Sequence, residues 1–247
     1  MSNNEDYKVK DMMRDEGKSS FQKYRDIMYG DSSLGYVIWA EFVLTFFSWV
    51  PGALGLFLRG QCYPTLFKSC GRGCVFGRNL TLRHAHKITL GSGVVLDDAS
   101  VVDAKGEANE GIVIEDNVYI GRHTIVYCKN GNIRIGMAVN ISSNCQIFSS
   151  NSITFGPGSV IGAFTYILSG GEYDYKSPVP FAQQSGMETK GPLNIGANCW
   201  FGAHVVITDA SSIGEHCVIG AGAVVTGPIP AHSVAVGVPA RVIHRIG

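Results

Sequence analysis

The sequence lacks an excess of charge of either sign. Lysine plus arginine and aspartate plus glutamate each number 20 in 247 residues, and the isoelectric point is about 7.0. Such a chain offers no basic field to gather nucleic acid, and no RNA- or DNA-binding motif appears, so no nucleic-acid partner is expected. A disulfide framework is also missing. Of seven cysteines, Cys145, Cys199 and Cys217 fall at small inward places of a repeat, where a reduced thiol acts as a small hydrophobe. Cys62, Cys70 and Cys74 have neither a second CxxC nor a histidine pair beside them, so no metal is expected. This cysteine usage points to a reducing, cytosolic compartment. Residues 1–33 are too long and too acidic for a signal-peptide leader. Met12, Met13, Phe21, Tyr24, Ile27 and Met28 recur there at roughly helical spacing, predicting a mobile terminus that leads into an amphipathic helix.

What the sequence does have is a period of six. From Ile195 to Val225 each unit opens on a large apolar residue: Ile195, Phe201, Ile207, Ile213, Ile219 and Val225. Glycine or threonine tends to follow, and a small residue sits at the fifth place (Cys199, Val205, Ser211, Cys217, Ala223). Neither the helical 3.6 nor the strand period of 2 gives this pattern. It describes a coil with three short flat faces, three sixes to a turn, stacked on its neighbours as parallel strands. Glycine, at 31 of 247 residues, exceeds the usual ~7%, as expected if many corners need positive φ. Further hexads open at Phe76, Leu82, Leu90, Leu96, Ile114, Ile120, Ile135, Ile141, Phe155 and Ile161. About eight coils at ~4.8 Å would make a column of roughly 40 Å.

Two stretches break the array. Residues 168–192 lie in a 40-residue step from Phe155 to Ile195 where 18 would suffice, and they are rich in Gly, Pro and polar residues. An ejected loop in a regular array is where function is expected. Residues 34–58 are apolar apart from Glu41 and are interrupted at Pro51-Gly52. Three readings compete: a membrane-spanning helix, a bent, re-entrant or in-plane membrane element with Tyr36, Trp39 and Trp49 at the interface, or a helical pair packed on the solenoid flank or between subunits. The second is slightly favoured, with Arg59, Lys68 and Arg72 following where anionic headgroups would suit them. At the other end, Arg241, His244 and Arg245 form a basic cluster that reads as a cap for an open β edge.

The repeats, the loop, NCWFGAHVVI and GAGAVVTGPIP…AVGVPARVI together resemble the hexapeptide-repeat acyltransferases, in particular galactoside/maltose-type and polysaccharide O-acetyltransferases. The resemblance covers about 75–247, leaving 1–74 as an N-terminal tail and apolar segment. It implies an all-β solenoid, a left-handed parallel β-helix, assembled as a homotrimer with sites between subunits and acyl-CoA along the C-terminal coils. By the same resemblance Trp200 lies beside the cofactor arm, the Ala203 and Ala221 backbones contact pantetheine, and Arg241 meets a CoA phosphate. Asn144 helps hold the reacting groups, and Pro180 and Gln183 fit the loop pattern. Two residues depart from the family. Gly227 stands where a lysine is usual, and Glu172 stands where the base histidine is expected, followed by Tyr173 and Asp174; no histidine lies in 124–203.

Acyl transfer to a hydroxyl needs a base for the departing proton and donors for the developing oxyanion. Glu172 is the first choice of base and Asp174 the second, with Tyr173 only assisting. The implied reaction is acetyl or similar transfer from acyl-CoA to a saccharide or lipid-linked glycan precursor, on the inner face of the cell membrane. The alternatives are a trimeric β-helix scaffold that binds membrane or partners without turnover, and a γ-type carbonic anhydrase. The anhydrase reading meets a geometric obstacle: His123 and His204 stand about three coils, roughly 14 Å, apart, too far to share a zinc.

Overall fold

A computed structural model describes residues 13, 15–184, 186 and 188–247. The expectation of a mobile terminus falls largely on residues 1–12, outside the described residues. The remainder forms a left-handed parallel β-helix of about eight coils, with helices at its N-terminal end. Its three sheets stack residues in register. In the first sheet Leu90, Ile114, Ile135, Phe155, Ile195 and Ile213 sit above one another. Phe76, Leu96, Ile120, Ile141, Ile161, Phe201 and Ile219 do so in the second. All are buried, so every hexad opening assigned in these two sheets points inward. The fifth-place residues from Cys199 to Ala223 are buried with them.

The corners correct one expectation. Positive φ belongs to the fourth place of the hexad, and mostly to residues other than glycine: Asn117, His123, Ala138, Asn144, Asn198, His204, Ala210 and His216 have φ between 53 and 60°. Asn and His accept the left-handed region more readily than most residues. The glycine at the second place serves a different purpose. A Cβ on Gly196 would lie 2.4 Å from the Glu215 amide nitrogen, and one on Gly202 would lie 2.5 Å from that of Ala221. These glycines are there because the next coil passes too close for a side chain.

The first coil has no coil beneath it, and three helices close that end. Helix α1 (Ser20–Met28) starts at a reciprocal cap in which Gln22 N donates to Ser19 Oγ and Ser19 N donates to Gln22 Oε1. Helices α2 (Leu34–Phe47) and α3 (Gly52–Cys62) form a hairpin about Pro51. The open backbone donors of coil one are met by the helical segment: Asn79 N donates to Ser48 O and His84 N to Met28 O. Val37, Ala40, Val43, Tyr63 and Leu66 join the core of the solenoid.

Arg59 does not stand where headgroups could reach it. It is 2% exposed, and its Nε donates to Phe76 O at 2.9 Å while Nη1 donates to Val50 O at 2.8 Å and Phe47 O at 3.1 Å. The last carbonyls of a helix need partners, and this guanidinium supplies them for α2 while tying it to coil one. The outward side of the hairpin remains bare: Leu34, Ile38, Phe42, Phe46 and Trp49 form a stripe, continued by Leu54 and Phe57. Among the described residues no helix is long and apolar enough to cross a membrane.

The stacking argument makes a direct prediction. Gly196→Ala should destabilise the chain by about 1–3 kcal/mol, because a backbone in a neighbouring coil must yield. Gly227→Ala, where nothing lies within 4 Å of the new methyl, should be close to neutral. Thermal unfolding of the two variants should differ by several degrees; equal midpoints would refute the close-approach account.

Candidate active site

The ejected loop leaves the third sheet after Tyr166–Ser169 and rejoins the first at Leu193–Ile195, at the edge between those sheets. Its base lies on aromatic rings. Phe148 is buried against Tyr127, ring centroids 4.8 Å apart, and a Cβ on Gly171 would meet Phe148 Cε1 at 2.9 Å. Glu172 then donates its N–H to Glu188 O at 3.0 Å, closing the loop on itself. Both carboxylate oxygens of Glu172 face the Lys190 ammonium, at 2.7 Å for Oε1 and 2.6 Å for Oε2. The pair is solvent-accessible, and Glu172 raises the Lys190 ammonium above its ordinary range.

The other loop residues are placed as follows. Tyr173 is exposed and meets Phe181 edge-on at 5.9 Å. Asp174 organises a turn: Oδ1 accepts Lys176 N at 2.9 Å, and its backbone exchanges two bonds with the Gln184 amide. Pro180 precedes a short 3₁₀ turn, Phe181–Gln183, in which Gln183 N donates to Pro180 O at 2.8 Å. Residues 185 and 187 of the loop lie outside the described residues.

One residue that holds the loop is absent from the sequence reading. Asp209 is buried at the same edge, one coil on. Its Oδ1 accepts Gly170 N at 2.6 Å and Thr189 Oγ1 at 3.1 Å, and its Oδ2 accepts Lys190 N. Ser169 Oγ is also within 3.4 Å of Oδ1. One carboxylate thus clasps both roots of the loop and fixes the residue that pairs with Glu172. The signal was present: apart from Glu215, Asp209 is the one charged residue between Ile195 and Val225.

The residues expected at the cofactor gather on other surfaces of the prism. Trp200 lies on the second sheet between Val160 and Val218, with its indole 59% exposed. Ala203 and Ala221 occupy successive turns of the corner between the second and third sheets, where Gly222 N donates to Ala203 O at 2.9 Å. Among the described residues neither alanine amide has a hydrogen-bond partner, so two N–H donors stand open one coil apart. Asn144 occupies the same corner two coils earlier, linked through Phe164 N→Ser143 O and His204 N→Ala163 O. Arg241 opens the terminal strand Arg241–Arg245, which pairs antiparallel with Ser233–Val236, and its guanidinium is exposed beyond a bond to Ala240 O. Trp200, Ala203, Ala221, Arg241 and Asn144 therefore share one side of the column. Glu172, Tyr173 and Asp174 project from the edge between the third and first sheets.

Residues 192–227 match the family model described as bacterial transferase hexapeptide (six repeats). A Staphylococcus aureus protein that carries a provisional acetyltransferase name is 41% identical over 116 residues, 47% of this chain and 56% of that protein. The chain thus spans little more than half the length of this relative. The galactoside O-acetyltransferase of Escherichia coli is 32% identical over 146 residues, covering 57% of this chain and 70% of the relative. A mutant of AntD, an N-acyltransferase from Bacillus cereus solved with dTDP and coenzyme A, superimposes with a TM-score of 0.54 at 18% identity, over 82% of this chain and 92% of that one. At that identity the likeness concerns the fold alone.

The clasp can be tested without any assay of activity. Asp209→Ala leaves the Gly170 and Lys190 amides without their acceptor, at a cost of about 1–3 kcal/mol each. Residues 170–190 should then exchange amide hydrogens, and be cut by protease, at least tenfold faster, while the coils stay protected. Unchanged loop protection would show that Asp209 does not hold it.

Proposed function

The chain belongs to the hexapeptide-repeat acetyltransferases, the family of the galactoside O-acetyltransferase it matches, and on that premise we propose that it transfers an acetyl group from acetyl-CoA to a hydroxyl of a saccharide. The observation that carries this reading is the clasped loop, which holds Glu172 and Lys190 within two coils of Trp200, Ala203 and Ala221. In the reaction, the acceptor oxygen attacks the thioester carbonyl, its proton passes to a Glu172 oxygen, and the carbon–sulfur bond breaks. The thiolate leaves as CoA after receiving a proton. Lys190 holds both oxygens of Glu172 until the acceptor hydroxyl takes its place on one of them. The open amides of Ala203 and Ala221 are donors of the kind that bind pantetheine carbonyls, Trp200 offers an apolar wall, and Arg241 a cation for phosphate. Asn144 supports the reacting groups from the same side.

Glu172 and Trp200 lie on different surfaces of one prism, so a site that uses both draws on two copies of the chain. This supports a homotrimer. The bare stripe on α2 supports peripheral attachment to a membrane surface, and with it a lipid-linked glycan as acceptor. A second reading has one observation in its favour: with both oxygens of Glu172 on Lys190, the chain could act as a scaffold that binds acyl-CoA without turnover.

Incubating the chain with acetyl-CoA and a panel of sugars and lipid-linked sugars, with detection of free thiol, tests the enzyme reading. Glu172→Gln should lower turnover by roughly 10²–10⁴-fold and leave CoA affinity nearly unchanged. Arg241→Ala should weaken CoA about tenfold, as expected for one charge-assisted contact. CoA binding with no acceptor-dependent thiol release would favour the scaffold. For the membrane, Ile38→Glu with Phe42→Glu should abolish co-sedimentation with anionic vesicles. Failure of the unaltered chain to bind such vesicles would remove that part of the proposal.

A further inference from the structure

A cavity of about 240 Å³ lies between the end of α1 and the first turns of the edge that carries the loop. His84 forms part of its wall and is 1% exposed. Among the described residues neither of its ring nitrogens has a hydrogen-bond partner; Nδ1 is buried 3.6 Å from Asp103 Oδ1. The other ring nitrogen, Nε2, lies on the side of Gly30, where the cavity opens. Gly30, at φ 56°, keeps the ring reachable, since a Cβ there would come 3.3 Å from His84 Nε2. A buried polar group with no partner costs free energy, so this one invites a ligand.

The other walls share the same bias toward accepting hydrogen bonds. Ser32 Oγ donates to Tyr29 O, so His86 Nδ1, 3.0 Å from that Oγ, carries the hydrogen and its Nε2 is an acceptor. Burial lowers the His86 pKa to about 4, and the ring is neutral near pH 7. Lys87 is already engaged, donating to Gly106 O at 2.6 Å and Asn109 Oδ1 at 3.1 Å. Asp26 is paired with Lys18 at 2.8 Å. Asp31 and Glu107, at the exposed rim, have no ion-pair partner among the described residues. The cavity therefore combines acceptors within and, at its mouth, the two carboxylates of Asp31 and Glu107 against the single ammonium of Lys87. It is smaller than the ~300–1,000 Å³ of drug-sized sites, and the size of a single sugar ring suits it.

We propose that this cavity binds a small molecule carrying a primary ammonium group and several hydroxyls, in the size range of an amino sugar. The ammonium meets Asp31 and Glu107, and hydroxyls donate to His84 Nε2 and His86 Nε2. The site is separate from the loop. Backbone links run along the edge from Arg83 through Lys105 and Ser149 to Ser169, four coils in all and about 19 Å. Its occupation does not depend on acyl transfer.

Calorimetric titration of the full chain with glucosamine, and with glucose as the uncharged analogue, tests it. Glucosamine should bind at least tenfold more tightly than glucose. Asp31→Asn combined with Glu107→Gln, both at the exposed rim, should weaken glucosamine at least tenfold without altering circular dichroism or CoA affinity. His84→Asn, which suits the left-handed backbone at this position, should weaken it comparably; if that variant does not fold, the rim variant decides alone. Equal affinity for the two sugars, binding of neither, or indifference of the rim variant would overturn the proposal. So would loss of glucosamine binding in Glu172→Gln, which would place the amine at the loop instead.

Discussion

Parallel backbone pairing between successive coils is the constraint on which the rest of this structure depends. Each coil must repeat the last at the strand spacing of ~4.8 Å, with its inner residues in register, or its backbone groups lose their partners. The sequence answers this constraint at three places in the hexad. A large apolar residue fills the interior, as with Ile195 over Phe155. A glycine permits the close pass of the neighbouring backbone, as at Gly202. A residue that tolerates the left-handed region turns the corner, as at Asn198 or His204. The same constraint explains the helices. Coil one lacks a predecessor, so carbonyls of Met28 and Ser48 and the guanidinium of Arg59 stand in for one.

Departures from the stack are then the places where something other than stacking is at work. The loop after Ser169 breaks the backbone ladder at its edge, and the chain compensates locally with the buried carboxylate of Asp209, which collects the freed donors. A charged residue at this place costs desolvation unless hydrogen bonds satisfy it, and here several do. Rigid roots and an exposed rim follow from this, and the Glu172–Lys190 pair hangs from the rigid part. Its orientation is set by the bond from Lys190 N to Asp209 and by the Glu172 N–H donated to Glu188 O.

The first two sheets were legible because their hexads run without interruption through the inner positions. The third was harder to read. Its inner residues Val102, Val126, Ile147 and Ile167 precede the corner where insertions occur, so the period of six slips immediately after each. The expectation about glycine holds at corners such as Gly93, Gly158 and Gly222 but not at most others, because composition counts glycines without distinguishing conformational freedom from lack of volume. Arg59 was misplaced because position along a chain says nothing about which carbonyls a helix turn leaves unpaired. Trp200, Ala203, Ala221, Arg241 and Asn144 lie on the second sheet and at its corner with the third, because equivalent places of successive coils stack in register. Asp209 and the cavity around His84 were hidden, since both depend on chain segments far apart in sequence meeting at one edge.

That edge is the common thread. Corners between the first and second sheets, and between the second and third, are short and alike from coil to coil, with their backbone bonds repeating. The third corner is irregular in almost every coil: the short helix at Ala85–Lys87, the excursion at 104–111, the bend at Asn130, and the loop at 170–192. A solenoid tolerates insertion wherever the chain can leave and return without shifting the register of the sheets. Once one corner has been opened in this way, polar groups can be buried there without disturbing the apolar interior. Asp103, Lys105, Asn109 and Asp209 are buried along this line, whereas the hexad interior holds apolar side chains with small Ser, Thr and Cys residues at the fifth place. The buried ionisable groups of the third corner are therefore confined to one edge by the same register that keeps the hexad openings apolar.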